Sequence, residues 1–178
     1  MMTDTLVEDI AVYPLIVDLS ACLCTALEEA GGPDLCYCGP QVGELVLDFC
    51  GGGCDGEGCG GQAWVRLVDA FPSSVFPSQD AILTNCRSPW AFSLEIGVAR
   101  CAPMGDANGV GGYDPPTMEQ NLAAMRLQTS DLAAMRRAVT CCFGKTDRDY
   151  MVGTYSQALV NQGGCLGGSI TVWVREEF

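Results

Sequence analysis

The chain has 178 residues, 48% of them hydrophobic, with nine basic against 22 acidic residues and a formal charge of −13. That is enough apolar material for one domain with a core of its own. The charge argues against general nucleic-acid binding, which needs Lys and Arg to displace counterions. Twelve cysteines and no histidine exclude Ser-His and Cys-His triads and remove the commonest metal ligand.

The N-terminal stretch from Met1 to Asp9 is acidic and lacks the basic-then-apolar layout of a secretory signal, so none is expected. Tyr13 to Glu29 reads as a first helix. Leu15, Ile16, Leu19, Cys22, Leu23, Ala26 and Leu27 fall on one stripe, and Gly31-Gly32-Pro33 stop it. Residues 33–61 are rich in Cys and Gly and read as a loop, within which Glu44 to Phe49 is a short strand. Gln62 to Phe71 is a second strand, with Trp64, Arg66 and Val68 alternating against Val65, Leu67 and Asp69. Pro72 to Pro89 is an extended loop of a length that usually serves function.

Trp90 to Arg100 is the clearest strand. Phe92, Leu94, Ile96 and Val98 share one face, and Ser93, Glu95 and Gly97 take the other. A second extended loop covers about 101–116. The longest element follows, a helix that ends at Phe143. Thr117 is its N-cap and Gln120 the reciprocal partner of a capping box. Met118, Leu122, Met125, Leu132, Met135, Val139 and Cys142 read as its buried face, and Asp131 and Arg137 as belonging to the polar one. LAAMR occurs at 122–126 and again at 132–136, an offset that turns a helix to an adjacent face. Met151 to Val160 reads as a short strand or irregular arm, and Ser169 to Phe178 as a closing strand with Ile170, Val172 and Val174 on one side.

The expected fold is α+β: a single domain over residues 1–178, in the order α-β-β-β-α-β. A mainly antiparallel four-stranded sheet carries two helices on one face. The other face, with Trp, Thr, Glu and Arg, is expected to meet a neighbour. No apolar run reaches the roughly 20 residues of a membrane-spanning helix.

The chemistry-bearing residues are the cysteines. Cys36, Cys38, Cys50, Cys54 and Cys59 crowd one glycine loop, with Cys22 and Cys24 just before. A structural zinc site commonly uses paired CxxC motifs, and none is present, so these five form at best a weak metal alternative. Cys22, Cys24, Cys36, Cys38, Cys50, Cys54, Cys59, Cys86, Cys101, Cys141, Cys142 and Cys165 are all disulfide candidates, with buried thiols the third possibility. Gly51-Gly52-Gly53 lacks the GK[ST] ending of a phosphate loop. Glu95 and Arg100 lie on the best strand without a second acid, which fits a solvated or interface role better than acid–base work. No catalytic residue and no cofactor are assigned.

Several segments together resemble the small neck proteins of long-tailed phages that infect actinobacteria, above all their tail terminators. They are ACLC (21–24), QAWVRL (62–67), FPSSVFP (71–77), SPWAFSLEIGVARCAP (88–103), PPTMEQ (115–120), AMRRAVTCC (134–142) and GGCLGGSITVWV (163–174). The resemblance implies a non-enzymatic virion protein that forms a homo-hexameric ring at the neck after assembly in the host cytoplasm. Such a ring caps the major tail tube protein, meets the head-side connector or stopper, and lets DNA through its lumen without specific binding. Membrane contact is not implied. The alternatives are another head-to-tail connector (stopper or adaptor) and a Cys-rich metal-binding interaction module.

Overall fold

A computed structural model describes residues 9–44, 60–81, 88–103, 107–108, 112–144, 146, 148–159 and 164–176. Its centre is strand β3, Trp90–Cys101. Phe92, Leu94, Ile96 and Val98 alternate along it and are all buried on one face. On one side β3 pairs antiparallel with β2, Gly61–Pro72. On the other it pairs antiparallel with β7, Cys165–Glu176, which sets Ile170, Val172 and Val174 beside Ile96, Leu94 and Phe92.

The two edges are β1, Tyr37–Pro40, parallel to β2, and β6, Tyr150–Leu159, antiparallel to β7. The sheet therefore has five strands in the order β1-β2-β3-β7-β6. It is mixed, not four-stranded and antiparallel. Both edges go beyond the expected order: β6 is a ten-residue strand where a short strand or irregular arm is expected, and β1 comes from YCGP, four residues within the segment expected to be loop. A strand that short, carrying Gly and Pro, gives no alternation to read; neighbouring β2 supplies its pairing. The strand expected at 44–49 lies, beyond Glu44, outside the described residues. The loop expected at 101–116 holds a small hairpin of β4, Ala107–Asn108, and β5, Gly112–Tyr113.

Two helices cover the face formed by Ala63, Val65 and the apolar rows of β3 and β7. Helix α1 is Val12–Ala30. Asp9 Oδ1 accepts from the N–H groups of Ala11 and Val12, both at 2.8 Å, which satisfies donors at the helix start. Gly31 ends it in the left-handed region at φ 70°, a conformation costly for a residue with a Cβ. Leu15, Leu19, Leu23 and Leu27 are its buried leucines.

Helix α2 is Met118–Phe143. Its capping box forms as the sequence predicts: Thr117 Oγ1 accepts from Gln120 N–H at 3.2 Å, and Gln120 Oε1 accepts from Thr117 N–H at 2.7 Å. The helices run antiparallel, because Cys22 is joined to Cys142, Glu29 meets Arg137, and Gly32 lies against Leu127.

The buried face of α2 differs from the expected one. Asp131, Ala134, Met135, Ala138, Val139 and Phe143 are buried, whereas Met118, Leu122 and Met125 are 78%, 56% and 58% exposed. The two LAAMR copies show why. Met135 is buried and Met125 is not, because a ten-residue step leaves the copies about 80° apart around the axis. A stripe drawn through both copies mixes two faces of the helix.

The sheet's second face is also more closed than expected. Trp64, Ala91, Ser93, Ala99 and Cys165 are buried within the single chain. The indole of Trp64 lies over Gly97, where any Cβ would stand 2.2 Å from the ring. Only glycine lets the ring lie that close to the strand.

Candidate functional site

The strongest polar arrangement joins the end of β3 to the middle of α2. Arg100 continues the Phe92–Val98 row, so its side chain points at the helix layer. Its Nε and one terminal nitrogen donate to the two carboxylate oxygens of Asp131 at 3.1 and 2.9 Å, and its other terminal nitrogen donates to the carbonyl of Pro33. Both side chains are 7% exposed. Arg100 is thus neither solvated nor at an interface, and Asp131 does not belong to the polar face of α2. A buried charge is costly unless paired and hydrogen-bonded, and here the planar guanidinium fork matches the carboxylate.

Beside this pair lies a cavity of about 20 Å³, bounded by Arg100, Asp131, Gln128, Tyr155, Leu166 and Gly168. It is large enough for about one water molecule. Tyr155 reaches it from edge strand β6, its ring pressed on Gly168, where a Cβ would come within 2.3 Å of the hydroxyl. The phenol's pKa is raised, first by burial and then by the Asp131 charge, while a hydrogen bond from Gln128 pulls it down. The 20 Å³ cavity itself is too small for a substrate. The cluster's chemistry is that of a lock between α2 and the sheet.

A second polar cluster sits on the other face. Glu95 accepts from Trp64 Nε1 and from Arg66, each at 2.9 Å, and Arg66 also donates to the Gly43 carbonyl at 3.1 Å. Glu95 therefore ties β2 to β3 inside the chain. A bulge follows in β2 between Leu67 and Asp69, and it turns Leu67 and Val68 outward.

Among the cysteines, Cys22–Cys142 staples α1 to α2 and Cys24–Cys38 staples α1 to β1. The sulfurs of each pair come from residues 120 and 14 positions apart. Cys36, Cys101 and Cys165 are also disulfide-bonded. Cys141 is a free, exposed thiol, against its place among the disulfide candidates. Its neighbour Cys142 faces α1 and Cys141 points about 100° away. Cys50, Cys54, Cys59 and Cys86 lie outside the described residues. Of the five residues in the weak metal alternative, Cys36 and Cys38 are held in disulfides, and a disulfide sulfur is not the thiolate a metal needs. Among the described residues, no three His, Cys, Asp or Glu side chains cluster as metal ligands. No described helix is long and apolar enough to cross a membrane.

The remaining feature is apolar and exposed. Each helix overhangs the other at one end. Residues 118–126 of α2 run on past the end of α1, since Leu127 lies against Gly32. The first turns of α1 run past the end of α2, since Cys142 is joined to Cys22. Each overhang carries an uncovered stripe: Met118, Leu122 and Met125 on one, and on the other Tyr13 and Val17, 53% and 40% exposed, with Ile10, 85% exposed, in the turn just before the helix. The sequence reading puts Met118, Leu122 and Met125 in the core, because apolar residues at threes and fours are ordinarily buried, and leaves Ile10, Tyr13 and Val17 outside the α1 stripe. The phase slip between the two LAAMR copies is the advance signal for the α2 stripe.

No protein-family model matches the chain, and no curated protein is significantly similar to it.

Proposed function

We propose that this protein is a structural component of a phage neck: a tail terminator that assembles as a homo-hexameric ring. It caps the major tail tube protein and presents a docking face to the head-side connector. The observation that carries this reading is the pair of uncovered apolar stripes on a chain whose two described polar clusters, Arg100–Asp131 and Trp64–Arg66–Glu95, are tied up within its own fold. Uncovered apolar patches on an otherwise closed domain mark association surfaces. The segments that resemble tail terminators, from ACLC (21–24) to GGCLGGSITVWV (163–174), agree with it. So does the charge of −13, because an acidic lumen repels DNA and lets it slide. The disulfides would harden a particle that persists outside the cell.

The experiment is tube polymerisation. Purified tail tube protein, assembled with and without this chain, is imaged and its length distribution measured. A terminator stops growth and shortens the tubes. A stopper or adaptor leaves tube length unchanged while still binding the head-side connector, and that result would move the assignment to the neighbouring neck proteins.

A further inference from the structure

We infer that the chain joins to a second copy of itself head to tail, the α2 stripe of one copy seating on the α1 stripe of the next. The inference deepens the ring reading and rests on it for closure; the contact itself is argued from the surface chemistry.

The two stripes are apolar in the same way and charged in opposite ways. Beyond Met125, the outward face of α2 continues through Arg126, Thr129, Ala133 and Arg136, spaced by threes and fours. Arg126 and Arg136 are exposed. The other described arginines are all in ion pairs: Arg66 with Glu95, Arg100 with Asp131, Arg137 with Glu29, Arg148 with Glu176 and Arg175 with Asp149. Only Arg126 and Arg136 have no carboxylate partner among the described residues.

The outward face of α1 is the reverse. Beyond Val17 it runs through Asp18, Ala21, Thr25 and Glu28, and the helix contains no Lys or Arg. Asp18 and Glu28 are exposed and in no ion pair among the described residues.

Charge selects the pairing. With a formal charge of −13, most copy-to-copy contacts are repulsive. The exception brings the unpaired arginines of α2 against the carboxylates of α1, with both apolar stripes removed from water in the same contact. Because α1 and α2 run antiparallel, the stripes lie at opposite ends of the helix layer. One copy thus offers two different surfaces, and the contact is heterologous: it repeats from copy to copy and closes as a ring if the rotation allows.

The test uses the full chain and two surface variants, Tyr13→Asp and Leu122→Asp, with mass read by light scattering after gel filtration and folding by circular dichroism. Both positions are more than half exposed, so both variants are expected to keep the wild-type circular-dichroism spectrum. Wild type is expected to form a closed oligomer larger than a dimer, each variant alone to run as a monomer of 18.8 kDa, and an equimolar mixture to give a one-to-one heterodimer that grows no further. In that mixture one intact α1 stripe meets one intact α2 stripe and no second contact remains. A third variant, Arg126→Glu with Arg136→Glu, is expected to shift the oligomer to monomer without touching an apolar residue. If wild type is oligomeric and every variant stays so, the interface is elsewhere and the proposal fails while the ring reading survives. A wild-type dimer overturns the head-to-tail arrangement. A wild-type monomer under all conditions overturns both.

Discussion

Arg100 and Asp131 form a two-pronged ion pair between the end of the central strand's inward row and the middle of the long helix. Each is buried, and among the described residues neither forms an ion pair with any other group. Removing one leaves an uncompensated charge. Asp131→Ala is expected to cost about 3–5 kcal/mol of stability, measured by urea unfolding. The double variant Arg100→Met with Asp131→Leu replaces the pair with apolar groups and is expected to recover most of that loss. If Asp131→Ala changes stability by less than about 1 kcal/mol, of the order of an exposed pair, the burial described above is wrong.

The two LAAMR copies make a second pair of expectations. Met135 is 1% exposed, so Met135→Ala is expected to cost about 2–5 kcal/mol through lost burial and a residual cavity. Met135→Asp is expected to prevent folding by placing a carboxylate in the core. Met125→Asp, ten residues earlier in the same sequence context, is expected to fold with the wild-type circular-dichroism spectrum. Equal sensitivity at the two methionines would contradict the face assigned to α2.

The disulfides lead to a third. Cys22–Cys142 ties residues 120 positions apart, and constraining the unfolded chain over such a loop is worth up to about 5 kcal/mol in the chain-entropy estimate. Cys22→Ser with Cys142→Ser is expected to lower the denaturation midpoint more than Cys24→Ser with Cys38→Ser, whose partners are 14 apart. Alkylation of the oxidised protein before reduction, read by peptide mass, is expected to label Cys141 and to spare Cys22, Cys24, Cys38 and Cys142. Labelling of Cys142 in place of Cys141 would reverse the assignment.

Much of this was legible in the sequence, and the misses have physical causes. The β3 row, the apolar side of β7, the α1 stripe and the α2 capping box are local patterns that the structure repeats residue for residue. Strand β1 was not legible, because four residues with Gly and Pro carry no periodicity and depend on β2 for pairing. Asp131 reads as polar face in the sequence because a carboxylate is buried only when a partner such as Arg100 waits opposite, and that partner is 31 residues away in sequence. The exposed Met118, Leu122 and Met125 read as core for the converse reason: composition marks apolar residues, and only the phase of the helix against its neighbours tells which of them are covered.

Tyr155 gives a pH expectation. Burial first, and the nearby Asp131 charge second, raise its pKa above the ordinary tyrosine value of 10.0. The folded state therefore holds the phenol proton to higher pH than the unfolded chain does. By linkage, this contribution to stability is fully present below the unfolded pKa, near 10, and is lost as pH rises through the folded one. Comparing wild type with Tyr155→Phe, thermal midpoints are expected to show a steeper alkaline fall for wild type above about pH 10, and the ultraviolet phenolate signal should show one late-titrating tyrosine that the variant lacks. Parallel curves for the two proteins would remove Tyr155 from the lock between β6 and α2.

The ring itself is open to direct view. Class averages of the negatively stained assembly, formed alone or on the end of the tail tube, are expected to show a six-fold ring with an open centre. Isolated single subunits in every condition, or a hole lined mainly by the chain's few arginines and its one lysine, would contradict it.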